Sequence, residues 1–125
     1  MIERLDHLVL TVGDLETTIA FYAGVLGMRH ETFGDGRSAL RFGDSKINLH
    51  EVRRTFEPKA AVPTPGSADL CFVASVPLDE VRRRLEDAGV AIEEGPVART
   101  GAAGPINSLY RRDPDANLIE ISVYT

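Results

Sequence analysis

Leu5-Asp6-His7-Leu8-Val9-Leu10-Thr11-Val12-Gly13-Asp14-Leu15 is a strand that runs into a helix, and the chain repeats this plan, though not these residues, in its second half. Residues 5–12 are β-rich and apolar enough for a buried strand. Asp14 is a good helix N-cap. Leu15, Ile19, Tyr22 and Leu26 then recur at spacings of three to four, one face of a helix. Gly27 stands where a left-handed cap residue belongs. An offset of 62 brings the same plan round again. Residues 68–74 read as a strand. Pro77 opens a helix, Leu78, Val81, Leu85 and Ala88 form its apolar face, and Gly89 ends it. His7 thereby falls on Asp69, Val12 on Ala74 and Gly27 on Gly89.

Three strand-like runs follow each helix. In the first half they are Met28–Phe33, Ser38–Phe42 and Ile47–Val52, parted by the turn signals Gly34-Asp35-Gly36 and Gly43-Asp44. In the second half they are Val90–Glu94, Ile106–Arg112 and Asn117–Tyr124. The Gly/Pro-rich stretch 95–105 reads as a long loop, which at that length is disordered or functional. The expected fold is α+β: two βαβββ modules forming a curved mixed sheet around a cleft. Module one spans 1–54, a Pro-rich linker 55–66, and module two 67–125, within a single domain over 1–125. Phe56 gives the linker something to pack with.

Composition bounds the function. The chain has 125 residues, 43% hydrophobic and 26% charged, as a globular domain requires. Its net charge of −5 provides no basic field for nucleic acid or an anionic membrane. No apolar stretch is long enough to span a bilayer, and the N-terminus lacks a signal-peptide pattern. One cysteine, Cys71, excludes an intramolecular disulfide and fits a reducing cytoplasm.

Side chains alternate along a strand. Leu8 and Leu10 share one face, His7, Val9 and Thr11 the other. Ile47 and Leu49 oppose Asn48 and His50. Leu70 and Phe72 oppose Asp69 and Cys71. Ile119 and Ile121 oppose Leu118, Glu120 and Ser122. His7, Asn48 or His50, Asp69 and Glu120 therefore line the face away from the helices, where carboxylates and imidazoles are normally paired or hold metal. Each has an ordinary reading too. His7 fits a hydrogen-bonded strand residue, Asp69 a buried acceptor, Glu120 an ion pair with Arg41 or Arg111, and Asn48 and His50 edge polar residues. His30 reads as solvated and Cys71 as a small core residue. Convergence of His, Asp and Glu at matched positions favours the metal reading.

The opening stretch, Phe21-Tyr22 with Leu26-Gly27-Met28, and Arg112-Asp113-Pro114-Asp115-Ala116-Asn117-Leu118-Ile119-Glu120 resemble the vicinal oxygen chelate superfamily, also called the glyoxalase/bleomycin-resistance/dioxygenase superfamily. Phe42-Gly43-Asp44, Asn48-Leu49-His50-Glu51-Val52, Phe56-Glu57-Pro58-Lys59 and Glu93-Glu94-Gly95-Pro96-Val97 look like its short glyoxalase-domain-containing branch, which includes bacterial proteins labelled as virulence-associated. The resemblance implies one divalent metal, with His7 and Glu120 matching the first-strand His and last-strand Glu. Asp69 stands where His is usual, and Asn48 where glyoxalases have Glu, with His50 one step along. Those departures argue against glyoxalase I activity.

Nitrogen and oxygen ligands suit Zn, Mn, Fe, Co or Ni. Such an ion acts as a Lewis acid on a substrate chelating through adjacent oxygens, and a loosely ligated carboxylate, Glu120 or Asp69, is the candidate general base. His7, His50 and Glu120 would alternatively form a two-His-one-carboxylate set. Arg99, on a loop expected to close over the site, and Tyr110 are candidate substrate contacts. The expected function is that of a metal-dependent lyase, isomerase or dioxygenase on a small oxygenated metabolite. The alternative is a non-catalytic binding or resistance protein. Open sheet edges and the superfamily's habit suggest a homodimer.

Overall fold

The computed structural model describes residues 1–125, which divide into two compact units, Met1–Ser67 and Ala68–Thr125. In the first unit β1 is His7–Val12, α1 Leu15–Ile19, β2 Arg29–Phe33, β3 Arg37–Phe42 and β4 Ser45–Glu51. The sheet order is β1-β4-β3-β2, with β1 and β4 parallel and the remaining pairs antiparallel. Asp14 caps α1 as its sequence position requires, its carboxylate accepting from Thr17 N at 2.9 Å. The helix then widens. Ala20–Val25 is π-helical, and Leu26 N reaches back five residues to Phe21 O at 3.0 Å. Phe21 and Tyr22 are both buried, in edge-to-face contact. Gly27 closes the segment at φ 78°. The core of this unit contains Leu10, Val12, Tyr22, Leu40, Ile47 and Leu49. Register sets Leu8 beside Ile47 and Leu10 beside Leu49, so the alternation expected along β1 and β4 holds.

The second unit repeats the plan. Here β5 is Asp69–Val73, α2 Leu78–Asp87, β6 Glu94–Gly101, β7 Gly104–Arg112 and β8 Leu118–Tyr124, in the order β5-β8-β7-β6 with β5 and β8 parallel. Val81 and Leu85 of α2 are buried, as are Leu109, Ile119 and Ile121 of the sheet. The two four-stranded mixed sheets with few helices are the α+β fold that the repeat implies.

One expectation fails. Residues 95–105 are not a loop, and Val90–Glu94 is not the strand before it. The strand is β6, which begins where that run was expected to end. It pairs with β7 from Glu94↔Tyr110 to Gly101↔Gly104, leaving only Ala102 and Ala103 as the turn. The misreading has a physical cause. Gly95 and Pro96 look like breakers, but they occupy an irregularity between Glu94 and Val97 on an edge strand. A bulge admits Gly there, and an edge tolerates the missing N–H of Pro. Arg99 is thus a strand residue, not part of a closing loop. Cys71 corrects a second expectation. It is exposed on the edge strand β5, not in the core.

Candidate functional site

The polar face of the second unit is an ordered row of side chains. Cys71, Glu120 and Tyr110 are cross-strand neighbours on β5, β8 and β7. Ser122 and Ser108 form the next rung. Ser108 donates to Glu120 Oε1 at 2.6 Å, its hydroxyl lies 2.7 Å from that of Ser122, and Cys71 Sγ lies 3.2 Å from Ser122 Oγ. Both serines are fully buried. Arg99 donates through Nε to Tyr110 Oη at 3.1 Å and through its terminal nitrogen to Glu94 at 3.3 Å, its guanidinium lying over the Tyr110 ring. Loss of solvent pushes the Tyr110 phenol up; the Arg99 hydrogen bond opposes that and the Glu120 carboxylate adds to it. The Cys71 thiol is also pushed up, first by desolvation, with the Ser122 bond opposing and Glu120 reinforcing. Asp69 is exposed at the start of β5, beside Leu118. Within the second unit the alternative ion pair of Glu120 with Arg111 does not form: Arg111 donates to Ala91 O. Arg41, in the first unit, bonds Glu31.

In the first unit His7 is half exposed, its Nδ1 2.8 Å from Asp6 Oδ1. A carboxylate only accepts, so His7 donates its Nδ1–H to Asp6. Two residues apart on β4, Asn48 and His50 each keep a buried atom without a partner, Oδ1 and Nδ1 respectively. His50 is 6% exposed, with Phe56 of the segment after β4 edge-on to its ring at 5.4 Å. Arg37 in turn lies 4.5 Å over the Phe56 ring. Phe56 therefore does pack down, as the linker's composition suggests. His30 is exposed and bonds the Ser38 hydroxyl at 3.1 Å.

Burial lowers the His50 pKa, and Arg37 and Lys59 lower it further. The folded state therefore binds fewer protons here than the unfolded chain. The stabilisation from neutral His50 is complete above its ordinary value of 6.5 and is lost as pH falls through the lower folded value. Urea midpoints at pH 7.5 and 5 should fall further in the wild type than in His50→Gln. An equal loss in both would show that His50 carries no such linkage.

Within neither unit do three His, Cys, Asp or Glu side chains stand together as a metal centre would require. Asn48 with His50, and Glu120 with Cys71 and Tyr110, are brought together; His7 is backed by Asp6, and Asp69 joins no cluster. The sequence reading missed Ser108, which is unremarkable in composition. Its signal is its cross-strand place beside Glu120.

The family model for the Glyoxalase/Bleomycin resistance protein/Dioxygenase superfamily matches residues 4–121. The chain is 60% identical over 124 residues to Virulence protein STM3117 of Salmonella typhimurium, covering 99% of this chain and 86% of that one. The crystal structure of that protein superposes with a TM-score of 0.98 at 59% identity, over 100% of this chain and 99% of the other. Glyoxalase domain-containing protein RDO1 of Mycosarcoma maydis is 54% identical over 98% of this chain and 69% of its own length. Glutathione transferase FosA of Serratia marcescens is 30% identical over 98% and 82%. The repeated βαβββ plan, its closing Asp-Pro-Asp-Ala-Asn turn and these matches place the chain in the glyoxalase/bleomycin resistance protein/dioxygenase superfamily.

Proposed function

We propose that the protein binds one divalent metal and works as a lyase, isomerase or dioxygenase on a small oxygenated metabolite. The observation that carries this reading is the pair of buried, unpartnered donors on β4, Asn48 Oδ1 and His50 Nδ1. Buried polar atoms without partners are costly, and an electrophile satisfies both. His7 Nε2, oriented by Asp6 as metal-ligating imidazoles are, is the further candidate donor of the first unit, and Glu120 and Asp69 are the candidate donors of the second. The donor set is nitrogen and oxygen without thiolate, which suits Zn, Mn, Fe, Co or Ni. Bound, such an ion polarises adjacent substrate oxygens. Glu120 is the general base, and Arg99 with Tyr110 meets an anionic part of the substrate. Exposed Val9 and Val73 lie on the edge strands β1 and β5, which supports pairing with a second copy. The free thiol supports a reducing cytoplasm; no helix is long and apolar enough to cross a membrane.

A second reading, a binding protein that works without metal, is favoured by the lack of three gathered ligands within either unit. Elemental analysis of protein purified without added ions or chelator separates the two. Wild type should carry about one ion per chain. His7→Ala and Glu120→Ala should each weaken binding by at least about 10–100-fold, the effect that even outer-sphere partners command. Metal-free wild type, or variants that keep their metal, would overturn the first reading. A monomer mass in light scattering of the same samples would overturn the pairing.

A further inference from the structure

Ser108 and Ser122 are direct partners across β7 and β8, fully buried, and each has a single proton to donate. Glu120 Oε1 lies 2.6 Å from Ser108 and 3.5 Å from Ser122. A carboxylate has no proton to give, so the short contact takes the proton of Ser108. The Ser108 oxygen can then only accept from Ser122, 2.7 Å away. The two short contacts therefore order the serines: Ser122 donates to Ser108 and Ser108 to Glu120. Ser122 also stands 3.5 Å from Glu120 Oε1 and 3.2 Å from Cys71 Sγ, a contact in which either atom can donate. Both serine protons point toward one carboxylate oxygen.

We infer that Ser108 and Ser122 are positioning residues for Glu120. They clamp Oε1 and fix the rotation of the carboxylate. Oε2 takes no bond from either serine; it is the oxygen left for a ligand, beside the Tyr110 phenol and Cys71 thiol that also bond this carboxylate. The gain lies in preorganisation. A carboxylate held by a buried, one-directional relay loses little further freedom when it binds. Ser108 contributes most because it makes the direct bond. Ser122 acts by holding the Ser108 oxygen, so that its proton has one direction. Cys71 is a weak S–H donor at the exposed end and contributes least. The consequence for metal rests on the metal reading above; the clamp itself does not.

The test has two arms. In the first, Zn2+ alone is titrated against a chromogenic chelator into wild type, Ser108→Ala, Ser122→Ala, Cys71→Ala and Ser108→Thr. Ser108→Ala should lose about 10–100-fold in affinity, Ser122→Ala less and Cys71→Ala least, while Ser108→Thr, which keeps the hydroxyl, recovers most of the loss. A general packing role predicts neither that order nor the rescue. Zinc binding by Ser108→Ala equal to wild type would overturn the positioning role. In the second arm, metal-free wild type and Ser108→Ala carry 13C-labelled glutamate carboxylates. The Glu120 resonance should move and broaden when the serine hydroxyl is removed; an unchanged resonance would overturn the clamp. Failure of the wild type itself to bind zinc would defeat the metal reading, and the second arm would still decide the clamp.

Discussion

Gly95→Ala should destabilise the protein by about 2–5 kcal/mol and lower its melting temperature by roughly 10 °C or more. Gly95 sits at φ 112°, where side-chain-bearing residues are strained. A Cβ there would lie 2.4 Å from Ser108 O, 3.1 Å from Leu109 Cα and 3.2 Å from Leu109 Cδ2. The nearest atoms are backbone of a central strand, at two residues that are 0% and 1% exposed, so they have nowhere to move. The substitution therefore adds overpacking to backbone strain. It should loosen β6 from β7, and with it the Arg82 bond to Gly95 O at 3.3 Å that joins α2 to this strand. It also pushes on the residue whose hydroxyl holds Glu120. Thermal unfolding followed by circular dichroism measures the first effect, and amide exchange along 97–101 the second. A loss below about 1 kcal/mol would show that the bulge re-forms around a side chain.

Gly95 also marks where the sequence misleads. Alternation along β1, β4, β5 and β8 was legible because each strand has one face against apolar neighbours and one face away from them. That physical difference writes a period of two into the residues. The repeat was legible because Gly27 and Gly89 both need positive φ, at 78° and 71°. No such pressure acts on β6, an edge strand with a bulge, so breakers accumulate in it and conceal it. The π-helical turn at Ala20–Val25 is likewise hidden, since its three-to-four spacing of apolar residues reads as an ordinary α-helix. Among the site residues, the faces of His50, Asn48 and Glu120 could be read from alternation. The relay could not, because a serine beside a carboxylate across two strands is a matter of register. Cys71 was misplaced for the complementary reason: a small apolar residue in a strand reads as core unless the strand is known to lie at an edge.

The same distinction applies to Asn117, a member of the family-like Asp-Pro-Asp-Ala-Asn run that also holds the β7–β8 hairpin closed. Its side chain, 0% exposed, donates from Nδ2 to Asp113 Oδ2 at 2.8 Å and accepts from Ala68 N at 2.8 Å. Asp113 Oδ1 accepts from Asn117 N and Asp115 N, each at 2.9 Å. One amide thus ties the β7–β8 turn to the first residue before β5, where Leu118 N also bonds Ala68 O at 3.1 Å. Asn117→Ala should cost about 2–4 kcal/mol, because it removes a buried bond to a carboxylate and a part-buried bond to a backbone N–H, and strands their partners. Asn117→Asp should be at least as damaging at neutral pH, since it sets a second carboxylate against Asp113 and removes the donor. Ala116→Gly is the informative control. Ala116 holds φ 67°, so glycine relieves strain in the same turn without touching the clamp, and stability should hold or rise. Urea denaturation orders the three variants. Amide exchange then locates the damage: it should quicken in Asp69–Cys71, because β5 pairs only with β8 and begins at this clamp. If Asn117→Ala unfolds at the wild-type urea concentration, the turn is held by Asp113 alone, and β5 is anchored by its ladder with β8.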